Sequence, residues 1–235
     1  MRAFAAAVIG LELLALGCGG SSSRSAGAGS SSGGADATSS DPGTTHDEAD
    51  SGLVPPGCGD NLLEDPGFEG GTPNPAWGDE SLLFETPICD AGCTDDVGAN
   101  PFTGSWWVWF GGVARPDTAS VSQMVVIPEG NVMLRFGFSL NAGSGTGNDV
   151  FSVVLDEDSL LLQVRDTEVG SYGGWRVVEL DISSHADGGE HRLVFGASIA
   201  GVGVTNFFVD DVELLLCESE SSSSSTASST ISGGD

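Results

Sequence analysis

The 235-residue chain contains no lysine, and its seven basic residues face 34 acidic ones, for a formal net charge of -27. A nucleic-acid partner requires basic side chains that displace phosphate counterions, so no DNA or RNA partner is expected. The same field repels anionic headgroups, which leaves a lipid or a hydrophobic segment as the route to any membrane. No stretch carries the 3.6-residue apolar period of an amphipathic helix. Nucleophile elbow, phosphate loop, HExxH pair and Gly-rich dinucleotide turn are all missing. His46, His185 and His191 fall in no ligand or triad pattern. Acids such as those of "DEDS" (Asp156 to Ser159), Glu85, Asp95 and Asp96 show no spacing that places two carboxylates across a cleft, and they read as solvated. A non-catalytic protein is therefore expected.

The N-terminus, "MRAFAAAVIGLELLALGCGG", has one Arg ahead of an apolar run too short to span a bilayer, closing on small residues before a cysteine. That is the pattern of a secretory signal peptide over residues 1–17. Its close, "ALGC", resembles a bacterial lipobox, which implies cleavage before Cys18 and acylation there; Glu12 and Ala15 depart from the pattern, and an ordinary secretory signal is the alternative. Each acyl CH2 buried adds about 0.8 kcal/mol, so two or three chains anchor a soluble domain firmly. The expected location is the bacterial cell envelope, as an outer-membrane lipoprotein exposed at the surface or in the periplasm. From there to residue 56 the chain is Ser, Gly, Ala, Thr and Asp, with too little apolar surface to offset ordering entropy. Such a coil spans roughly 30 to 35 Å on average and reads as a tether. The Ser-rich stretch 218–235 is equally unable to fold.

Of five cysteines, Cys18 is the odd one under the lipobox reading. Cys58, Cys89, Cys93 and Cys217 remain, an even set in an exported protein. Cys58 with Cys217 is favoured because the two bracket the foldable region and domain termini often lie close together. Cys89 with Cys93 closes the short loop "CDAGC".

Between residues 57 and 217 the apolar period is two. "VMLRFGFSL" places Leu134, Phe136, Phe138 and Leu140 on one face and Arg135, Gly137 and Ser139 on the other. "SVSQMVVIP" does the same with Val121, Val125 and Ile127, and five more such runs follow between Gly, Asn, Asp and Ser clusters. At least seven short strands without a helix predict an all-β antiparallel sandwich of the jelly-roll kind.

Three stretches carry a family resemblance. "NLLEDPGFEGG" (Asn61 to Gly71), followed by Trp77, resembles the opening of galactose-binding-like jelly rolls, in particular CenC-like carbohydrate-binding modules. "GSWWVWFGG" with "ASVSQMVVIP" is similar to the aromatic strand of accessory domains behind secreted peptidases and of MAM-like adhesive domains. "FFVDDVEL" (Phe207 to Leu214) is similar to the closing strand of these folds. The resemblance implies a structural Ca2+ held by the backbone oxygen of Gly67, by Glu69 and by Asp210. Hard oxygen donors suit that ion. The plain alternative is that Glu69 and Asp210 are solvated acids; Pro66 stands where glycine is usual.

In "WWVWF" the pleat puts Trp106, Val108 and Phe110 on one face and Trp107 and Trp109 on the other. One set belongs to the core. The second is either an exposed stacking platform or covered by segment 78–100, with its Leu82, Leu83, Phe84 and disulfide loop, and coverage is favoured because a bare double-Trp patch invites aggregation. A ligand role, if present, falls to Trp107, Trp109, Trp77 and Tyr172. The expected partner is a glycan or extracellular polymer, with a surface protein as the alternative.

Overall fold

A computed structural model describes residues 55–93 and 100–218. The signal peptide, Cys18, all but the last two residues of the tether, and the tail beyond Glu218 lie outside the described residues. Eleven strands follow in order: β1 Cys58–Asn61, β2 Gly78–Ser81, β3 Ile88–Asp90, β4 Trp106–Gly111, β5 Asp117–Val126, β6 Asn131–Ala142, β7 Val150–Leu155, β8 Ser159–Arg165, β9 Arg176–Asp181, β10 Glu190–Ile199 and β11 Asn206–Cys217. One sheet has the order β3-β4-β11-β6-β9, with β1 also on β11; the other is β2-β5-β10-β7-β8. Every pairing is antiparallel. The expected all-β sandwich is the observed one; among the described residues one α-helical turn, α1 (Val169–Tyr172), lies between β8 and β9, besides three short 3-10 turns.

The alternation read in β6 is real: Leu134, Phe136, Phe138 and Leu140 are wholly buried. They meet the inner face of the second sheet ring to ring, Phe138 with Phe151 at 4.6 Å and Phe136 with Phe195 at 5.1 Å between centroids. Each such side chain taken from water contributes about 1.5–3 kcal/mol. The outward residues Gly137 and Ser139 are buried as well, because Phe102 lies against Gly137. Strands β1, β2 and β3 had no apolar alternation to announce them. They are three or four residues long and exist through pairing, β1 on β11 and β3 on β4.

Both ends of the domain meet at one place. Cys58 is bonded to Cys217, and Glu218 N–H donates to Gly57 O at 2.7 Å. The second bridge joins Cys89 to Cys93. At the same end of the sandwich His191 ties two loops together. Its Nδ1 is 2.9 Å from Asp156 Oδ2 in the β7–β8 turn, and its Nε2 is 3.0 Å from Asp187 Oδ1 in the β9–β10 loop. Both nitrogens can donate only in the imidazolium form. The hydrogen bonds to Asp156 and then to Asp187 accordingly raise the His191 pKa above its ordinary value.

A folded-state value above the unfolded one means stability that is complete below about pH 6.5 and is lost as pH climbs through the folded pKa. His191→Gln is expected to lower Tm by about 3 °C at mildly acidic pH and by much less at about pH 9. Thermal melts across pH check this; a deficit independent of pH would refute the charged pairing.

Candidate functional site

The chain places its notable side chains in two neighbouring regions. The first is organised by a bulge in β11. Asp210 pairs with Gly137 and Glu213 with Arg135, so residues 211 and 212 oppose Phe136 alone. Asp211 takes φ 46° there, in the left-handed region that Asp tolerates better than most residues. The loop bearing the Gly-Phe-Glu turn is fastened beside this bulge. Val212 N–H donates to Pro66 O at 2.9 Å, and Asn61 donates to Val212 O while accepting from Leu214 N–H.

Asp210, Asp211, Gly67 and Glu69 thereby come together. A Cβ on Gly67 would sit 3.3 Å from Asp211 Oδ1 and 3.9 Å from Asp210 Oδ1. Asp210 is fully buried, and its Oδ2 accepts the N–H groups of Phe102 and Thr103 at 2.8 and 3.2 Å. Glu69 Oε1 accepts from Ser105 and Trp106 at 2.7 and 3.0 Å. Burial, with the Asp211 charge added, pushes the Asp210 carboxyl up to about 8; burial likewise raises Asp211, and the nearby Glu69 charge adds to that shift. Asp211 Oδ2 is buried without a hydrogen-bond partner. Among the described residues no three His, Cys, Asp or Glu side chains converge as a ready metal cage. The donors are nonetheless all hard oxygens, and the unpartnered carboxylate oxygen lacks the compensation a buried charge requires. They fit a hard cation better than an apolar filling. Asp211 was overlooked because strict alternation would have turned it away from Asp210; only the bulge brings both to the same loop.

The second region is the aromatic strand. Of the proposed stacking residues, Trp107 and Trp77 are 1% and 2% exposed, so neither offers a ring face to a ligand. Trp77 is core: it packs on Phe68 at 5.0 Å, and its Nε1–H donates to Asp65 O. Trp107 lies outside the main core in a small cluster with Cys89, Phe208, Trp109 and Trp175. Rings continue across this face, Trp109 to Phe208 at 5.7 Å, Phe208 to Trp175 at 6.1 Å and Trp175 to Phe102 at 5.5 Å. The expected cover by segment 78–100 is seen in part, through Cys89 and through Asn100 O, which accepts from Trp175 Nε1–H; residues 94–99 of that segment lie outside the described residues. Leu82 and Phe84 are 83% and 48% exposed, while Phe208 of the adjoining strand, Trp175 and the nearby Phe102 complete the aromatic face. Tyr172 is half-buried and engaged, its ring edge-on to Phe138 at 5.3 Å and under the Arg176 guanidinium at 5.6 Å.

Of the four, Trp109 is half-buried and lines a cavity. Its Nε1–H donates to Asn206 Oδ1 at 3.0 Å, which fixes the indole against β11. Along the β3 flank it lines a cavity of about 360 Å3 together with Trp106, Phe84, Ile88, Val113 and Asp90. Thr72 and Thr86 add hydroxyls. Trp106 points to the core side of the pleat, as expected, but the core ends where β4 begins, so its ring is half-buried against Gly71 and reaches the cavity. Neither Trp106 nor Phe84 was singled out from sequence. Periodicity sorts residues by face and does not show where a strand overhangs its core. The volume lies at the lower end of the ~300–1,000 Å3 usual for small-ligand sites.

No protein-family description and no curated protein matches the chain. Solved structures do. A family 61 carbohydrate-binding module solved in complex with β-1,4-galactotriose is similar over 68% of this chain and 100% of its own, at 20% identity and a TM-score of 0.49. A cleaved adhesin domain of Lys-gingipain from Porphyromonas gingivalis is similar over 68% and 100%, at 13% identity and a TM-score of 0.45. A family 16 carbohydrate-binding module is similar over 66% and 99%, at 18% identity and a TM-score of 0.41. Carbohydrate-binding modules are thus among the solved structures to which this chain is similar in fold.

Proposed function

We propose that the domain is a non-catalytic glycan-binding module presented from the bacterial cell envelope on a lipid-anchored tether. The observation that carries the glycan reading is the cavity between Trp106 and Trp109, flanked by the exposed ring of Phe84. Indole and phenyl faces contact the CH surface of a sugar at little entropy cost, while Thr72, Thr86 and Asp90 lie where hydroxyls need partners. Placement supports the same reading. β4 pairs with residues 206–209 at the start of β11, whereas the chain enters and leaves beside Cys217. Eight residues of strand separate Val209 from Cys217, about 27 Å. A tether attached at Cys58 therefore leaves the cavity well away from the anchored end.

Calcium joins this proposal as a structural ion. Gly67 through its carbonyl, Glu69, Asp210 and the added Asp211 would hold it, and it would supply positive charge to carboxylates that now lack it. The first loop is tied to the last strand whether or not the ion is present, by Val212 N–H donating to Pro66 O and by Asn61 bonded to Val212 and Leu214.

Affinity electrophoresis through a panel of neutral polysaccharides is expected to retard the wild type. Trp109→Ala and the surface variant Phe84→Ala should each weaken binding about tenfold. Equal mobility of wild type and variants in every gel would refute a glycan site at this cavity. About 10 mM Ca2+ should raise Tm by about 5–10 °C, and Asp210→Asn should abolish that increment. The raised Asp210 pKa fixes the sign of the pH effect. Without the ion, stability falls as pH rises from about 4 to about 8, so the Ca2+ increment grows over that range. Melts that ignore Ca2+ and chelator alike would remove the ion. Cys18→Ser should move the protein from the membrane fraction to the soluble one; unchanged partitioning on centrifugation would reject lipidation.

A further inference from the structure

The electrostatics of the cavity carry its proposed role one step further. Among the described residues its lining contains two indoles, a phenyl ring, aliphatic carbons and two threonine hydroxyls, and the one ionisable side chain there is the acid Asp90. Asp90 is held in place by Gly92, whose N–H donates to Oδ1 at 2.8 Å. None of the five arginines among the described residues lines it. Four of them are engaged elsewhere. Arg135 is paired with Glu213 and Glu179 at 2.7 and 3.2 Å, Arg165 donates to Gly147 O, Arg176 lies over Tyr172, and Arg192 donates to Ser122 Oγ. The fifth, Arg115, is an exposed residue of the β4–β5 turn, outside the lining. Recognition of a carboxylate or sulfate depends on a guanidinium or ammonium at the site, and this cavity presents the opposite charge.

We propose that the Trp106–Trp109 cavity selects uncharged glycans and turns away uronic-acid and sulfated polymers. The inference rests on the glycan reading above and names the ligand class of the same site. Stacking on Trp106, Trp109 and Phe84 is indifferent to charge, so discrimination comes from Asp90, which accepts hydrogen bonds from neutral hydroxyls and repels an anionic substituent. The overall charge of the domain adds a background repulsion that salt screens within about 8–10 Å. Asp90 acts at contact distance and is screened less.

The test uses the full chain and matched polymers that differ mainly in charge: hydroxyethylcellulose with carboxymethylcellulose, galactan with polygalacturonate, and agarose with carrageenan. In affinity gels at about 0.15 M salt, the neutral member of at least one pair should bind at least about fivefold more tightly than its acidic partner. Asp90→Asn should narrow that ratio about threefold, with folding confirmed by thermal melt. Glu129→Gln removes an equal charge from the opposite end of the sandwich and should leave the ratio unchanged. Equal or tighter binding of the acidic polymers overturns the selectivity and leaves the glycan reading standing. The same narrowing with Glu129→Gln would assign it to net charge and overturn the role of Asp90. Absence of retardation by any polymer removes the glycan reading, and this inference with it.

Discussion

Strand β11 is the constraint on which the rest of the domain depends. Over twelve residues it pairs with β6 along one side and with β4 and then β1 along the other, so it is the only strand of its sheet with three partners. Its inward side chains Phe207, Val209, Val212 and Leu214 belong to the core, and its outward ones, Phe208 and Asp210, are also buried. A strand covered on both faces needs partners for the polar groups it carries, and among its buried side-chain atoms Asp211 Oδ2 is the exception. Asp210 finds partners in the amides of Phe102, Thr103 and Asp211, and Asn206 in the indole of Trp109. The polar residues of this strand are thus what position the loops around it.

How much of this was legible follows from where the information resides. Alternation in β5, β6 and β10 is local, and a reader of the sequence can see which side of each strand is apolar because water imposes that choice residue by residue. The pairings that create β1, β2 and β3 are not local. "CGDN", "GDES" and "ICD" become strands because β11, β5 and β4 present free edges to them. The side chains of β1 and β2 are mostly polar and part-exposed, and β3, with Ile88 and Cys89 buried, is too short to show a period. The pairing of Cys58 with Cys217 was readable for a topological reason, since the first and last strands of the domain adjoin.

Site residues were legible to a different degree. The pleat correctly placed Trp107 and Trp109 together on the side away from Val108 and Phe110. It could not identify the neighbouring rings, because Trp175 and Phe208 arrive from about 70 and about a hundred residues away. Trp77 was readable as a ring near the Gly-Phe-Glu turn but not as buried; its burial comes from Phe68 beneath it and Phe195 of the other sheet. Asp211 depended on a one-residue register shift that leaves no mark on the apolar pattern.

The two regions of interest are joined by contacts rather than merely adjacent. Asp210 fixes the backbone of Phe102; the Phe102 ring lies on Trp175, whose Nε1–H donates to Asn100 O. Trp175 lies on Phe208, Phe208 on Trp109, and Trp109 lines the cavity. Close-packed rings of this kind transmit displacement poorly by bending and well by shifting as a unit. Asp210 holds the amides of Phe102 and Thr103, and so the backbone from which the series of rings begins. The buried carboxylate of Asp210 is in this way part of the packing that leads, ring by ring, to the cavity wall.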